Sequence, residues 1–260
     1  MESAVLNPVP GLRAVAAEQF RSVGLALRRE GLVAGGFLAL GSLWIAQMQW
    51  NSMGHASFPL SPEAGIPVSV LALLVPMAVW KGEGPAARGY HRAMPVNHAA
   101  HAVARSLSGL AWTMMAVAGY FGWLAAMAAL TGGKMGGEYA PYQWVVPFTA
   151  AAVMYLLGSA LTLVTAHPWR WLGGGMVAFM FTGVLRTTDG TRGLWDLVNT
   201  VIEGKYGLQT LISGMSPGSP GEFGSYMQNA VASTWLLATW MWAAIAISLF
   251  LFAAYRQPER

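Results

Sequence analysis

Apolar runs free of Asp, Glu, Lys and Arg recur six times along the 260-residue chain, at about 31–50, 65–80, 106–130, 142–166, 172–185 and 230–254. A helix needs about 20 apolar residues, in a range of roughly 17–25, to cross the hydrocarbon of a bilayer. The first, third, fourth and sixth runs meet that length and are predicted to cross as helices. The second holds Pro67 and Pro76, and the fifth begins with Gly173-Gly174-Gly175. Apolar segments interrupted by Gly or Pro are expected to be broken or re-entrant and to lie near function. The pattern predicts an all-α polytopic membrane protein, with six transmembrane helices forming one transmembrane domain over 1–260.

Outside these runs the periodicity changes. Over 12–29, at 100° per residue, Leu12, Ala16, Phe20, Val23 and Leu27 share an arc of about 80°, with Arg21 and Arg28 opposite. This predicts an interfacial helix lying in the membrane surface; the alternative is a solvated helix packed on a neighbouring chain. Two loops are long enough to have purposes. One is 81–105; the other is 186–229, where the apolar stretch 194–212 is expected to dip into the outer leaflet or form a lid, ahead of a Gly/Pro/Ser turn region over 213–224.

Composition strengthens the membrane reading. The chain is 55% hydrophobic and 10% charged, whereas soluble domains are roughly a quarter charged. So few charges cannot clothe a water-exposed surface. The 12 Trp suit a bilayer interface and the 15 Met suit adaptable packing. With no cysteine, disulfides, thiolate metal sites and thiol nucleophiles are excluded. Residues 1–30 carry seven charged side chains and no apolar core of signal-peptide length, so the first residue is expected to be kept.

Charge placement gives orientation. With six crossings and a cytoplasmic N-terminus, eleven basic residues fall inside and four (Lys134, Arg186, Arg192, Lys205) outside, while the acidic residues divide five to six. Basic residues favour the cytoplasmic side, so both termini are expected there.

The six runs offer hydroxyls and amides but no carboxylate, base or histidine. Ion-coupled transporters keep an ionisable group at membrane depth, so energy for any transport is expected from elsewhere and the cargo to be apolar or amphipathic. Residues 82–87 fit the loose dinucleotide fingerprint but follow a membrane run rather than a strand. Residues 214–218 fit a nucleophile elbow, yet Pro217 and the following Gly/Pro run indicate a turn. No Walker phosphate loop is present. His91, His98 and His101 would share one side of a continuous helix, but Pro95 interrupts it and no carboxylate completes a metal shell. No catalytic or metal site is expected, and no nucleic-acid partner.

Residues 88–105 read Arg-Gly-Tyr-His-Arg-Ala-Met-Pro-Val-Asn-His-Ala-Ala-His-Ala-Val-Ala-Arg. This resembles the cytoplasmic loop between the second and third spans of type-two ABC exporter permeases: a basic residue, an aromatic, a hydrophobic-Pro-Val turn, a small polar and a basic residue, then a basic residue opening the next span. Met94, Pro95, Val96, Asn97, His98 and Arg105 follow that order, with His98 where Arg is more usual. The resemblance implies a six-helix half-transporter in a bacterial cytoplasmic membrane. It implies dimerisation with a second permease copy or homologue, and an ABC ATPase partner carrying ATP and Mg. Arg88, Tyr90, Arg92, Met94, Pro95, Val96 and His98 would form the coupling element, Pro95 opening a short helix. Cargo would meet the first, second and fifth spans at the dimer axis, with Gln47, Met48, Phe179 and Met180 as the residues of that path. The alternative is a membrane-embedded binding or assembly subunit, haem-handling or complex-stabilising, without transport.

Overall fold

A computed structural model describes residues 12–55, 57–81, 98–133, 139–165, 167–185, 192–217 and 227–256. Nine α-helices follow in order among them: α1 (Leu12–Met53), α2 (Ile66–Leu71), α3 (Val75–Val79), α4 (His98–Thr131), α5 (Val146–Val164), α6 (Pro168–Leu185), α7 (Arg192–Glu203), α8 (Leu208–Ser213) and α9 (Ala232–Arg256). Short 3₁₀ turns at Pro62–Gly65 and Pro141–Trp144 lead into α2 and α5. Among the described residues the regular elements besides helices are an antiparallel pair of three-residue strands, β1 (Met215–Pro217) and β2 (Met227–Asn229), with Met215 opposite Asn229.

Four helical segments are long and apolar enough to cross a membrane: Ala16–Met53, Ala100–Thr131, Pro141–Val164 and Ala232–Arg256. Their outward surfaces suit lipid. Phe37, Leu43 and Trp44 on α1 and Leu237 and Trp240 on α9 are exposed on the isolated chain. The chain is thus helical and has the hallmarks of a multi-pass membrane protein.

The two runs marked as interrupted are absent from those four. Run 65–80 is split: Pro67 opens α2, and Pro76, which has no N–H to donate, begins α3 after a turn at 72–74. Run 172–185 falls in α6, whose first turn carries Trp169, Arg170 and Trp171.

Two expected boundaries move. The amphipathic stretch 12–29 is continuous with the first run in the single helix α1, and the later part of its apolar stripe packs on its own chain. Val23 is fully buried, Leu27 joins the same cluster and Phe20 stacks on Trp112 at 5.0 Å. At the other loop, α4 begins at His98, so 98–105 belongs to the helix. Four alanines in that stretch make it a strong helix former. Both long helices end at glycines that take a positive φ, Gly54 at 72° and Gly132 at 64°, the usual stop for a helix.

The helix directions follow from what lies beside what. At one end of the bundle Val146 and Ala230 cluster with Trp235. At the other, Ala160 and Leu163 cluster with Phe250, Ala253 and Ala254, so α5 and α9 run parallel. The second end also holds Val23, Val79, Trp80 and Ala102, while Trp123 donates to Ser42 at 3.0 Å and the Phe58 N–H to Thr131 at 3.1 Å nearer the first. Helices α1 and α4 therefore run opposite to α5, and the broken segment 62–79 runs with it. Lys81, Arg105 and Arg256 mark the second end, hereafter the basic end.

Helix α5 is the hub, with Ala150, Ala151, Tyr155 and Ser159 fully buried. Two glycines permit its closest neighbours. A Cβ on Gly158 would strike the carbonyl of Leu73, and one on Gly109 would strike the Tyr155 hydroxyl. Ser69, donating to the carbonyls of Gly65 and Pro147 at 3.0 Å each, ties the broken segment to the start of α5.

Candidate functional site

Of the expected coupling residues, Arg88, Tyr90, Arg92, Met94, Pro95 and Val96 lie outside the described residues, and His98 is the first residue of α4. Gln47 and Met48 sit on the exposed side of α1, the Gln47 amide donating to Asn51 at 3.2 Å. Phe179 and Met180 lie in α6. Among the described residues, helix α1 packs mainly on α4, and α6 mainly on α7.

The described residues on either side of 82–97 make contacts with other helices. On one side, the Lys81 ammonium lies 3.8 Å from Glu30 of α1. On the other, Arg105, largely buried one helical turn above His101, donates to the Val79 carbonyl through Nε at 3.2 Å and Nη2 at 2.6 Å. Its guanidinium also lies 5.5 Å from the centroid of a Trp80 ring. The C-terminal carbonyls of a helix carry partial negative charge and lack helical donors. A planar, permanently charged fork is well suited to cap one. Arg105 thereby fastens α4 to the end of the broken segment. The sequence showed a basic residue opening the third span but not its acceptor, because Val79 is 26 positions away.

A second feature lies between α6 and α9. Helices α7 and α8 form a hairpin whose turn, 204–207, lies against α9, with Lys205 and Tyr206 exposed. The Trp242 indole donates to the Tyr206 carbonyl at 3.0 Å, and Trp242 stands ten residues beyond Ala232, about 15 Å along the axis of α9. Leu211 of α8 is fully buried in a cluster with Ala150, Val153 and Ala246. From there the chain climbs back, and the Gly214 carbonyl accepts from the Ala230 N–H at 2.8 Å. The apolar stretch 194–212 was expected to dip or to form a lid; its 208–211 part is inserted among α5 and α9.

The hairpin changes the inventory of ionisable groups. The six runs contain none, yet Glu203 precedes the turn and Lys205 lies within it, both exposed on the isolated chain, with the Lys205 ammonium 5.6 Å from the Tyr206 ring centroid. Sequence reasoning placed both in an outer loop.

At the basic end, a cleft of about 690 Å³ opens between the end of α5 and the start of α6, lined by Thr165, His167, Arg170, Trp171, Gly174, Gly175 and Ala178. Comparison with protein families, with curated proteins and with solved structures finds no match to the chain.

Proposed function

We propose that the chain is the membrane-spanning permease subunit of an ATP-driven ABC exporter in a bacterial cytoplasmic membrane, moving an apolar or amphipathic compound and energised by a separate ATPase chain that binds ATP and Mg. The observation that carries this reading is the contact between the helices on either side of 82–97. The two helices that bound this segment are fastened to each other by Arg105 and Val79, and the margin at Lys81 is paired to α1 through Glu30. A push on the segment is shared by α1, α3 and α4, as a coupling element requires. The order of residue types at Arg88–His98 supplies the partner surface.

Six crossings with both termini on the cytoplasmic side accord with the packing. Because α5 and α9 run parallel, a chain leaving one must return before starting the other, and α6 with the hairpin is the chain available to do so. The basic end would then be cytoplasmic, as positive residues prefer. Helices α1 and α6 keep apolar faces uncovered, and we assign the cargo path, with Gln47, Met48, Phe179 and Met180, to the boundary between two copies.

The test is to purify the tagged chain from its native membranes and to reconstitute it alone. An ATP-hydrolysing partner should accompany it, and the chain alone should show neither ATPase activity nor transport driven by a pH gradient. Transport by the chain alone would overturn the assignment.

A further inference from the structure

Glu203 and Lys205 are exposed side chains at the turn between α7 and α8. That turn is bonded to Trp242, about 15 Å from the start of α9, and α8 behind it is buried against α5 and α9 through Leu211. Charged side chains at that depth face a water-filled cavity or pair with one another, and among the described residues neither Glu203 nor Lys205 forms an ion pair. A lysine stem can reach toward an interface, but the short Glu203 side chain cannot span such a distance. Helix α7 continues the polar surface, because Asp196, Thr200 and Glu203 recur at i, i+4 and i+7 on one face and all three are exposed.

We infer that the inserted hairpin lines a water-filled vestibule that opens at the end opposite the basic one and reaches about half-way through the bilayer, with the Asp196–Thr200–Glu203 stripe and Lys205 as its polar wall. The vestibule would admit water and small charged solutes to membrane depth. The inference stands apart from the exporter assignment, since it needs no ATPase and would survive the loss of that reading.

The absence of native cysteine allows a clean test. Two double variants, Leu211→Cys with Ala246→Cys and Leu208→Cys with Trp242→Cys, check the insertion of the hairpin by disulfide formation in native membranes. Single variants Glu203→Cys and Lys205→Cys are then labelled in sealed vesicles of both orientations with a sulfonate-bearing, membrane-impermeant methanethiosulfonate. Lipid-facing Ile247→Cys and Glu63→Cys, on the exposed turn before α2, serve as controls. Only the hydrated thiolate reacts, so positions 203 and 205 should label about 100-fold faster than 247, and from the same side as position 63. Labelling no faster than at 247 overturns the vestibule. Failure of both cross-links, or labelling from the side opposite position 63, also overturns it.

Discussion

The Arg105 side chain closes on the Val79 carbonyl with two nitrogens, at 3.2 and 2.6 Å, across 26 residues of chain. The bond joins the third apolar run to the end of the broken second one. Replacing Arg105 by Ala would leave a buried acceptor without its donor, a loss of about 1–3 kcal/mol. Arg105→Lys should recover only part, since an ammonium cannot reproduce the fork. Thermal unfolding of the purified protein in detergent should rank wild type above Lys and Lys above Ala; equal midpoints would show that the bond contributes nothing.

Gly109 and Gly158 should respond differently to a methyl group. At Gly109 the obstruction is the end of the Tyr155 side chain, whereas at Gly158 it is the Leu73 backbone. Overpacking costs about 1–3 kcal/mol where the surroundings cannot shift. Gly158→Ala should therefore be the more destabilising, and Tyr155→Phe should partly restore Gly109→Ala while leaving Gly158→Ala unimproved. The same unfolding measurement, made on the four variants, decides it.

Reporter fusions test the sidedness. A fusion after Arg260 and one inserted within 187–229 should report opposite sides of the membrane, the first cytoplasmic. A tail on the outer side would mean that α6 and the segment after it do not complete a crossing.

The coupling assignment makes unequal demands on its residues. Central apolar anchors carry more binding energy than charges at the rim, and a buried carboxylate without a partner is costly. Met94→Asp should leave the chain in the membrane but abolish substrate-stimulated ATP hydrolysis by the complex, while Arg88→Ala lowers it modestly. If Met94→Asp is silent and Arg88 and Arg92 matter only in anionic lipid, the loop binds headgroups, at about 1 kcal/mol per basic residue.

The cargo path is tested separately. Alanine at Gln47, Met48, Phe179 or Met180 should alter which compounds leave the cell while the complex still assembles. Loss of assembly would identify these as packing residues. Their types favour adaptable contact, methionine being flexible and polarisable.

What the sequence determined by itself is the solvent and the material. Apolar runs of crossing length, few charges and a lopsided distribution of basic residues specify helices in a bilayer, because lipid leaves a backbone few other ways to satisfy its own hydrogen bonds. Pro67 and Pro76 likewise announced a broken second segment, proline being a local constraint. The tertiary structure decided three things. It drew part of the stripe of 12–29 onto the chain's own core through Val23 and Leu27, gave Arg105 a carbonyl 26 positions away, and seated Leu211 between α5 and α9. Each depends on a partner remote in sequence, and hydrophobic periodicity records that a face is apolar without recording what will cover it. For the turn that holds Lys205 the consequence is largest, since its place beside α9 is set by the Trp242 bond to Tyr206 and by the burial of α8, both contacts remote in sequence.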